Sequence, residues 1–101
     1  MREVIVLENA ADDLERGREY YDTREEGVGQ YFIDCIIADI ESLAFFHGIH
    51  RIQYECFRML SHRFPFGIYY VEVEKKIQVV AVLDLRRKPS WIRREIKIRR
   101  P

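Results

Sequence analysis

Hydrophobic and polar positions change their spacing near the middle of the chain. An apolar stripe over residues 10–21 and a broader one from Phe32 to Leu43 recur every three to four residues, which is the spacing of one face of a helix. Beyond Gly48 the pattern becomes that of extended chain, rich in β-branched and aromatic residues. The sequence therefore predicts two helices followed by a run of strands.

The limits of these elements follow from local signals. Val4–Leu7 is a short β-branched run that predicts a first strand. Asn9 is expected to cap the first helix, and the second helix is expected to continue through Phe45 and Phe46 to Gly48, its C-terminal stop. Three later strands are predicted at Tyr54–Leu60, Phe66–Val73 and Ile77–Leu85, with Glu74-Lys75-Lys76 as the turn between the last two.

The last two strands are apolar at both alternating positions, as expected for central strands that are covered on both faces. The helical hairpin supplies one cover, with Gly17 allowing close approach of the two helices; a loop, the C-terminal segment or a partner supplies the other. Pro89 ends the last strand, and Ser90–Ile98 forms a short helix or a tail. The predicted fold is α+β, with βααβββ order: a helical hairpin packed on a mostly antiparallel four-stranded sheet, with a short basic C-terminal segment. Residues 1–101 are expected to form a single domain.

The formal net charge of zero conceals a separation of charge along the chain. Residues 1–50 hold four arginines against twelve acidic residues, whereas residues 86–101 hold eight cations against Glu95 alone. The acidic residues of the first helix are expected to form a solvated face. The cationic end predicts local binding of a polyanion or an acidic partner.

Several kinds of site are not predicted. Cys35 and Cys56 belong to no CxxC pair, and His47 and His50 have no third ligand at a familiar spacing, so we expect neither a metal nor a cofactor. His62 has the chemistry of a general acid or base but no evident partner. Without a signal segment or an apolar run of membrane-spanning length, the chain is expected to be cytoplasmic.

The best candidate site is Arg86-Arg87-Lys88, which directly follows the last strand. Cations fixed at a strand end can face phosphates or carboxylates at little ordering cost. Trp91, three residues further on, either stacks on a nucleic-acid base or packs against the sheet.

Two segments carry a resemblance to a known family. Residues 9–21 (NAADDLERGREYY) and 63–91 (RFPFGIYYVEVEKKIQVVAVLDLRRKPSW) resemble the RelE/ParE toxin superfamily, and most closely its ParE-like branch of plasmid stabilisation proteins. The resemblance implies the βααβββ fold and the toxin of a type II toxin–antitoxin pair, neutralised by a cognate antitoxin. Asp84 and Lys88 stand where the ParE-like pattern often has a histidine and an acid, so the contacts with the target are expected to differ.

The two branches of this superfamily imply different targets. ParE-like toxins inhibit DNA gyrase, whereas RelE-like toxins are ribosome-dependent mRNA interferases. Gly67 and Leu85 occupy positions where the RelE-like pattern has cations, which favours gyrase and a non-enzymatic role. An endoribonuclease remains open, as does a non-toxic orphan. The candidate catalytic residues of the endoribonuclease are Arg58, Arg63, Arg86, Arg87 and Trp91, and those for binding antitoxin or target are Arg63, Arg86, Arg87, Lys88 and Trp91.

Overall fold

Three helices and a five-stranded sheet make up the computed structural model, which describes residues 1–99. The sheet order is β1-β5-β4-β3-β2, with β1 parallel to β5 and the other neighbours antiparallel. The predicted α+β class, with a helical hairpin on the sheet, is confirmed. The elements are β1 (Glu3–Val6), α1 (Glu8–Arg24), α2 (Val28–Ser42), β2 (Arg51–Gln53), β3 (Cys56–Leu60), β4 (Phe66–Val73), β5 (Lys76–Asp84) and α3 (Pro89–Arg99).

The sheet has one strand more than the predicted four. The additional strand, β2, pairs with β3 across a two-residue turn at Tyr54 and Glu55, both of which have positive φ angles. Such a turn normally carries glycine or asparagine, so no residue at this point of the chain indicates a reversal. The tight turn at Glu74 and Lys75 has the same character, and it confirms the predicted reversal between β4 and β5.

Two predicted helix limits are wrong. Helix α1 begins at Glu8 with Leu7 at the N-cap, so Asn9 lies inside the helix. Helix α2 ends at Ser42 rather than near Gly48, and the chain turns so that the Ala44 carbonyl accepts a hydrogen bond from the Arg2 amide at 3.0 Å. A contact with the N-terminal segment therefore accompanies the end of α2, and the side chains of residues 45 and 46 are largely exposed.

Both faces of the sheet are covered, by different elements. The α1–α2 hairpin packs on one face, where Ile68, Tyr70 and Val82 join its apolar side chains. On the other face, α3 packs through Ile92 and Ile96, so the predicted second cover is the C-terminal segment. The apolar run of β5 is divided between the two covers, with Val79 and Val82 on the hairpin side and Val80, Ala81 and Leu83 on the α3 side.

The two helices of the hairpin meet closely at Gly17. A Cβ atom at this position would lie 2.5 Å from the ring of Phe32, closer than carbon atoms pack in proteins. Phe32 is fully buried and is packed against Tyr21 and Phe66, with ring centroids 5.2 and 4.9 Å away. The predicted role of Gly17 is therefore confirmed.

Asp13 is an exception to the solvated acidic face expected of α1, on which Asp12, Glu15 and Glu19 are exposed as predicted. Its carboxylate is buried and accepts hydrogen bonds from the Val82 amide at 2.9 Å, from Arg99 at 2.5 and 2.9 Å, and from Arg16 at 2.7 Å. Strand β1 ends at Val6, so its pairing with β5 stops before Val82. The carboxylate of Asp13 takes the place of a strand partner for the Val82 amide. One carboxylate thus joins α1, β5 and α3.

We predict that Asp13→Ala lowers the free energy of unfolding by about 3 kcal/mol, because it leaves the guanidinium of Arg99 buried without its main partner. Urea denaturation measures the change. Glu15→Ala is the matched control, since Glu15 lies on the same helix and pairs with Arg18 at the surface; its effect should be much smaller, because exposed ion pairs contribute little to stability. Equal losses in the two variants would contradict the prediction.

Candidate functional site

The three cations Arg86, Arg87 and Lys88 form the turn between β5 and α3, and we call them the cationic turn. The Arg87 amide donates to the Asp84 carbonyl at 3.2 Å, and the Lys88 carbonyl accepts from the amide of residue 91 at 3.0 Å. Pro89 is the first residue of α3, where its fixed φ favours helix initiation. The cations are therefore held between two ordered elements, and all three are exposed.

Arg86 is engaged within the molecule. Its guanidinium donates to both carboxylate oxygens of Asp84, at 3.0 and 2.7 Å, and reaches the Tyr21 hydroxyl at 3.4 Å. The hydrogen bond to Asp84 raises the pKa of Arg86. Partial burial acts to raise the pKa of Asp84, but its hydrogen bonds and proximity to Arg86 hold it below the ordinary value. The charge of Arg86 is consequently compensated in part before any partner arrives.

Arg87 and Trp91 form a stacked pair. The guanidinium carbon of Arg87 lies 3.7 Å from the centroid of the indole ring, a cation–π geometry. Trp91 is half-buried and packs against the apolar cluster beneath α3, beside Leu83 and Leu85. Of the two interpretations of Trp91, packing on the sheet is the one observed.

An open cleft of about 510 Å³ lies between α1, β5 and α3 beside this pair. Arg87 and Trp91 line one side, and Arg16 and Tyr20 of α1 line another. Asp84 also contributes to the wall. The cleft therefore combines aromatic surface with charges of both signs, which suits a polar peptide surface better than a chain of phosphates.

Arg58 and Arg63 lie apart from that cleft. Arg58 is on β3, opposite Tyr69 in the register, and its Nε is buried without a hydrogen-bond partner among residues 1–99. Burial raises the pKa of Tyr69, and the neighbouring Arg58 partly offsets that rise. Arg58 lines a separate groove beside Arg51, while Arg63 is exposed between β3 and β4. The structure does not gather the predicted catalytic cations into one pocket.

Two buried aspartates, Asp13 and Asp39, each hold a distant cationic segment, and neither was predicted from the sequence. Asp39 of α2 accepts hydrogen bonds from the His62 side chain at 2.7 Å and from the His62 amide at 3.3 Å, so it anchors the turn that carries Arg63. Asp39 and Asp13 each fall within the apolar stripe of a helix. An acidic residue inside such a stripe was the signal that could have identified both.

The remaining histidines have separate partners. The Nδ1 atom of His47 lies 2.7 Å from a Glu72 oxygen, and Nδ1 of His50 lies 2.5 Å from the Tyr70 hydroxyl. Burial lowers the pKa of His50, so the neutral ring is favoured. Within residues 1–99, no group of three or more His, Cys, Asp or Glu side chains is placed to hold a metal ion.

Comparison with known proteins identifies the class. The family model described as the ParE toxin of the type II toxin–antitoxin system parDE matches residues 4–89. A solved structure titled as the chromosomal ParDE toxin–antitoxin system from P. aeruginosa superposes with a TM-score of 0.76 at 18% sequence identity, covering 81% of this chain and 94% of that chain. A search of curated protein sequences finds no significant match.

The helical hairpin on a mixed sheet, with a cationic turn before the last helix, is thus the fold of a small toxin of a type II toxin–antitoxin system. The chain belongs to the ParE toxin family. Among the described residues, no helix is long and apolar enough to cross a membrane.

Trp91 is the one tryptophan of the sequence, so its fluorescence tests the stacked pair directly. We predict that Arg87→Ala increases the quenching of Trp91 emission by acrylamide, because it uncovers one face of the indole, and that it costs about 0.5 kcal/mol of stability. Lys88→Ala is the control, because Lys88 is exposed in the same turn without this contact. Unchanged quenching in Arg87→Ala would show that the pair does not persist in solution.

Proposed function

We propose that this toxin is held inactive by a cognate antitoxin and that, when released, it binds a replication target such as DNA gyrase without cleaving nucleic acid. The observation that carries the proposal is the rigid cationic turn beside Trp91, in a chain of the ParE family. Backbone hydrogen bonds of 3.2 and 3.0 Å hold the turn at both ends, so binding there costs little conformational entropy.

The distribution of cations favours binding over catalysis. Cleavage of a phosphodiester needs several cations placed around one phosphate. Here Arg58 lines a groove at the β2–β3 edge, whereas Arg87 lines the cleft beside α3. Between β3 and β5, a Cβ atom at Gly67 would lie 3.0 Å from side-chain carbons of Leu85 and Tyr69 and 3.4 Å from Cγ of Arg58. The surface beside Gly67 therefore carries mainly apolar and aromatic groups, together with the stem of Arg58.

The proposed contact residues follow from exposure and from internal pairing. Arg87 and Lys88 are the principal ones, since both are exposed and neither forms an ion pair with residues 1–99. Arg86, Arg63 and Trp91 remain proposed contributors, Arg86 with its charge reduced by its pairing. We further propose that the chain acts as one toxin domain in the cytoplasm, where replication proteins are found.

An mRNA interferase remains the second candidate because of one observation. The Nε of Arg58 is buried without a partner among the described residues, and unpaired buried donors of this kind are unusual outside functional sites. A phosphate oxygen would reach this nitrogen only after a movement of the Arg58 side chain, because the atom is shielded from solvent. The experiment below separates the two functions.

The test is to induce the chain without its antitoxin and to follow DNA and protein synthesis by precursor incorporation. We expect DNA synthesis to stop first, and the double variant Arg87→Glu/Lys88→Glu to relieve growth arrest. The control is Arg93→Glu/Arg94→Glu, which makes the same charge change at two exposed positions of α3 and should remain toxic. Purified protein should inhibit gyrase supercoiling less as salt rises, because exposed charges are screened.

Other outcomes would point elsewhere. A rapid loss of translation accompanied by cut mRNA would establish the interferase and would contradict the proposal. Normal growth on induction of a folded wild-type protein would identify a non-toxic orphan. If both double variants were equally toxic, the cationic turn would be ordinary solvated surface.

A further inference from the structure

One edge of β3 is only partly paired. Strand β2 pairs with residues 56–58 of β3, but β3 continues to Leu60. Ser61 and Phe66 lie opposite each other and form a hydrogen-bonded pair of the antiparallel ladder, since the Ser61 amide donates to the Phe66 carbonyl at 2.9 Å. Since such pairs alternate along an antiparallel ladder, the amide and carbonyl of Leu60 point away from β4, toward the open edge.

The edge is open because contacts with Tyr70 hold residues 48–50, which precede β2, away from β3. Continuing the β2–β3 register would place Ile49 opposite Leu60. Instead, the buried Tyr70 hydroxyl lies 2.8 Å from the Gly48 amide and 2.5 Å from Nδ1 of His50. These contacts hold residues 48–50 toward the hairpin side of the sheet. The outward-facing amide and carbonyl of Leu60 are thereby left without a strand partner among the described residues, and we call this position the vacant rung.

The surroundings of this vacant rung are apolar and positively charged. A groove of about 630 Å³ runs along it, and no carboxylate is among the residues that line it. Arg51 and Arg58 are cross-strand partners, and neither forms an ion pair with residues 1–99. The side chains of Phe46, Ile52 and Leu60 are 62%, 66% and 54% exposed.

We propose that an extended segment of the antitoxin docks at this vacant rung and adds a strand beside β3, in line with β2. This inference rests on the proposed function. Main-chain hydrogen bonds to Leu60 would give affinity, and alternating side chains would give specificity. Residues of the docked segment whose side chains lie on the same sheet face as Arg51 and Arg58 would be acidic. Residues on the opposite face, which Ile52 shares with Phe57, would be apolar.

Charge decides between this occupant and a second copy of the chain. Two copies that met edge to edge would bring Arg51 and Arg58 of each into proximity, and like charges across a strand pair are destabilising. An acidic segment would instead neutralise both arginines. It would also cover the exposed apolar side chains, in agreement with the charge and the apolar surface of this edge.

The first test uses a capped octapeptide of alternating valine and glutamate, added to the purified toxin and followed by NMR. We expect the peptide to slow exchange of the Leu60 amide proton by about tenfold, because that proton becomes hydrogen-bonded. The matched peptide of alternating valine and lysine should not do so. Protection by neither peptide, or equally by both, would overturn the proposal.

Leu60→Pro removes the outward-pointing amide without removing a bond to β4, and proline is tolerated at such edge positions. We expect it to weaken binding of the acidic peptide by about tenfold, whereas Leu60→Ala, which keeps the amide, should bind more tightly than Leu60→Pro. Unchanged Trp91 emission and melting temperature would show that the fold is intact. Wild-type affinity in folded Leu60→Pro would contradict the proposal.

Arg51→Glu supplies a second variant that does not alter the backbone. It should weaken the glutamate peptide and strengthen the lysine peptide, while Arg94→Glu on exposed α3 should change neither. If Arg51→Glu and Arg94→Glu bind the two peptides alike, charge at this edge does not select the partner. Protection of Leu60 by a single-stranded oligonucleotide and not by the peptide would also refute the inference.

The same variants, mixed with a purified candidate antitoxin encoded by a reading frame adjacent to the one that encodes this chain, separate this inference from the proposed function. If that protein binds wild type and Leu60→Pro equally, the antitoxin exists but does not use the β3 edge. If it binds no variant while the acidic peptide still protects Leu60, the assignment of that protein as antitoxin fails and the docking site at the edge stands.

Discussion

The buried carboxylate of Asp13 is the interaction on which the arrangement of the second sheet face depends. It accepts a hydrogen bond from the Val82 amide, beyond the point where β1 pairs with β5, and it forms an ion pair with Arg99 near the end of α3. A helix of eleven residues has little stability of its own, so α3 needs this anchor as well as its apolar contacts. When α3 is held in place, Trp91 at its start lies against the sheet.

Asp39 performs the same task on the second helix. By accepting two hydrogen bonds from His62, it fixes the turn between β3 and β4, and with it the position of Arg63. Each helix of the hairpin therefore carries one acidic residue inside its apolar face, and each of these residues holds a cationic segment that is distant in the sequence. The hairpin thus helps to position the turn that carries Arg63 and the C-terminal helix α3.

The two proposed docking places both carry positive charge that forms no ion pair within residues 1–99. Arg87 and Lys88 occupy the turn before α3, and Arg51 and Arg58 lie at the β2–β3 edge. Arg86 and Arg99 carry the same formal charge but are paired with internal carboxylates. A partner that engaged both places would have to follow the molecular surface, and an extended chain does so more readily than a compact domain. Under the proposed function, a gyrase surface and an antitoxin segment would compete at one place while the antitoxin gained affinity at the other.

The sequence alone was sufficient for the helical hairpin, the central strands, the close contact at Gly17 and the similarity to ParE-like toxins. Apolar periodicity and glycine are local signals, and they remain visible without knowledge of the fold. The short strand β2, the end of α2 at Ser42 and the partners of Asp13 were decided only by the tertiary structure. The first depends on a turn with positive φ angles but no glycine. The other two depend on groups far apart in the chain: a backbone hydrogen bond between residues 2 and 44, and an ion pair spanning 86 residues. Nothing in the local pattern encodes such contacts, because the free energy that favours them appears only when the distant segments have packed together.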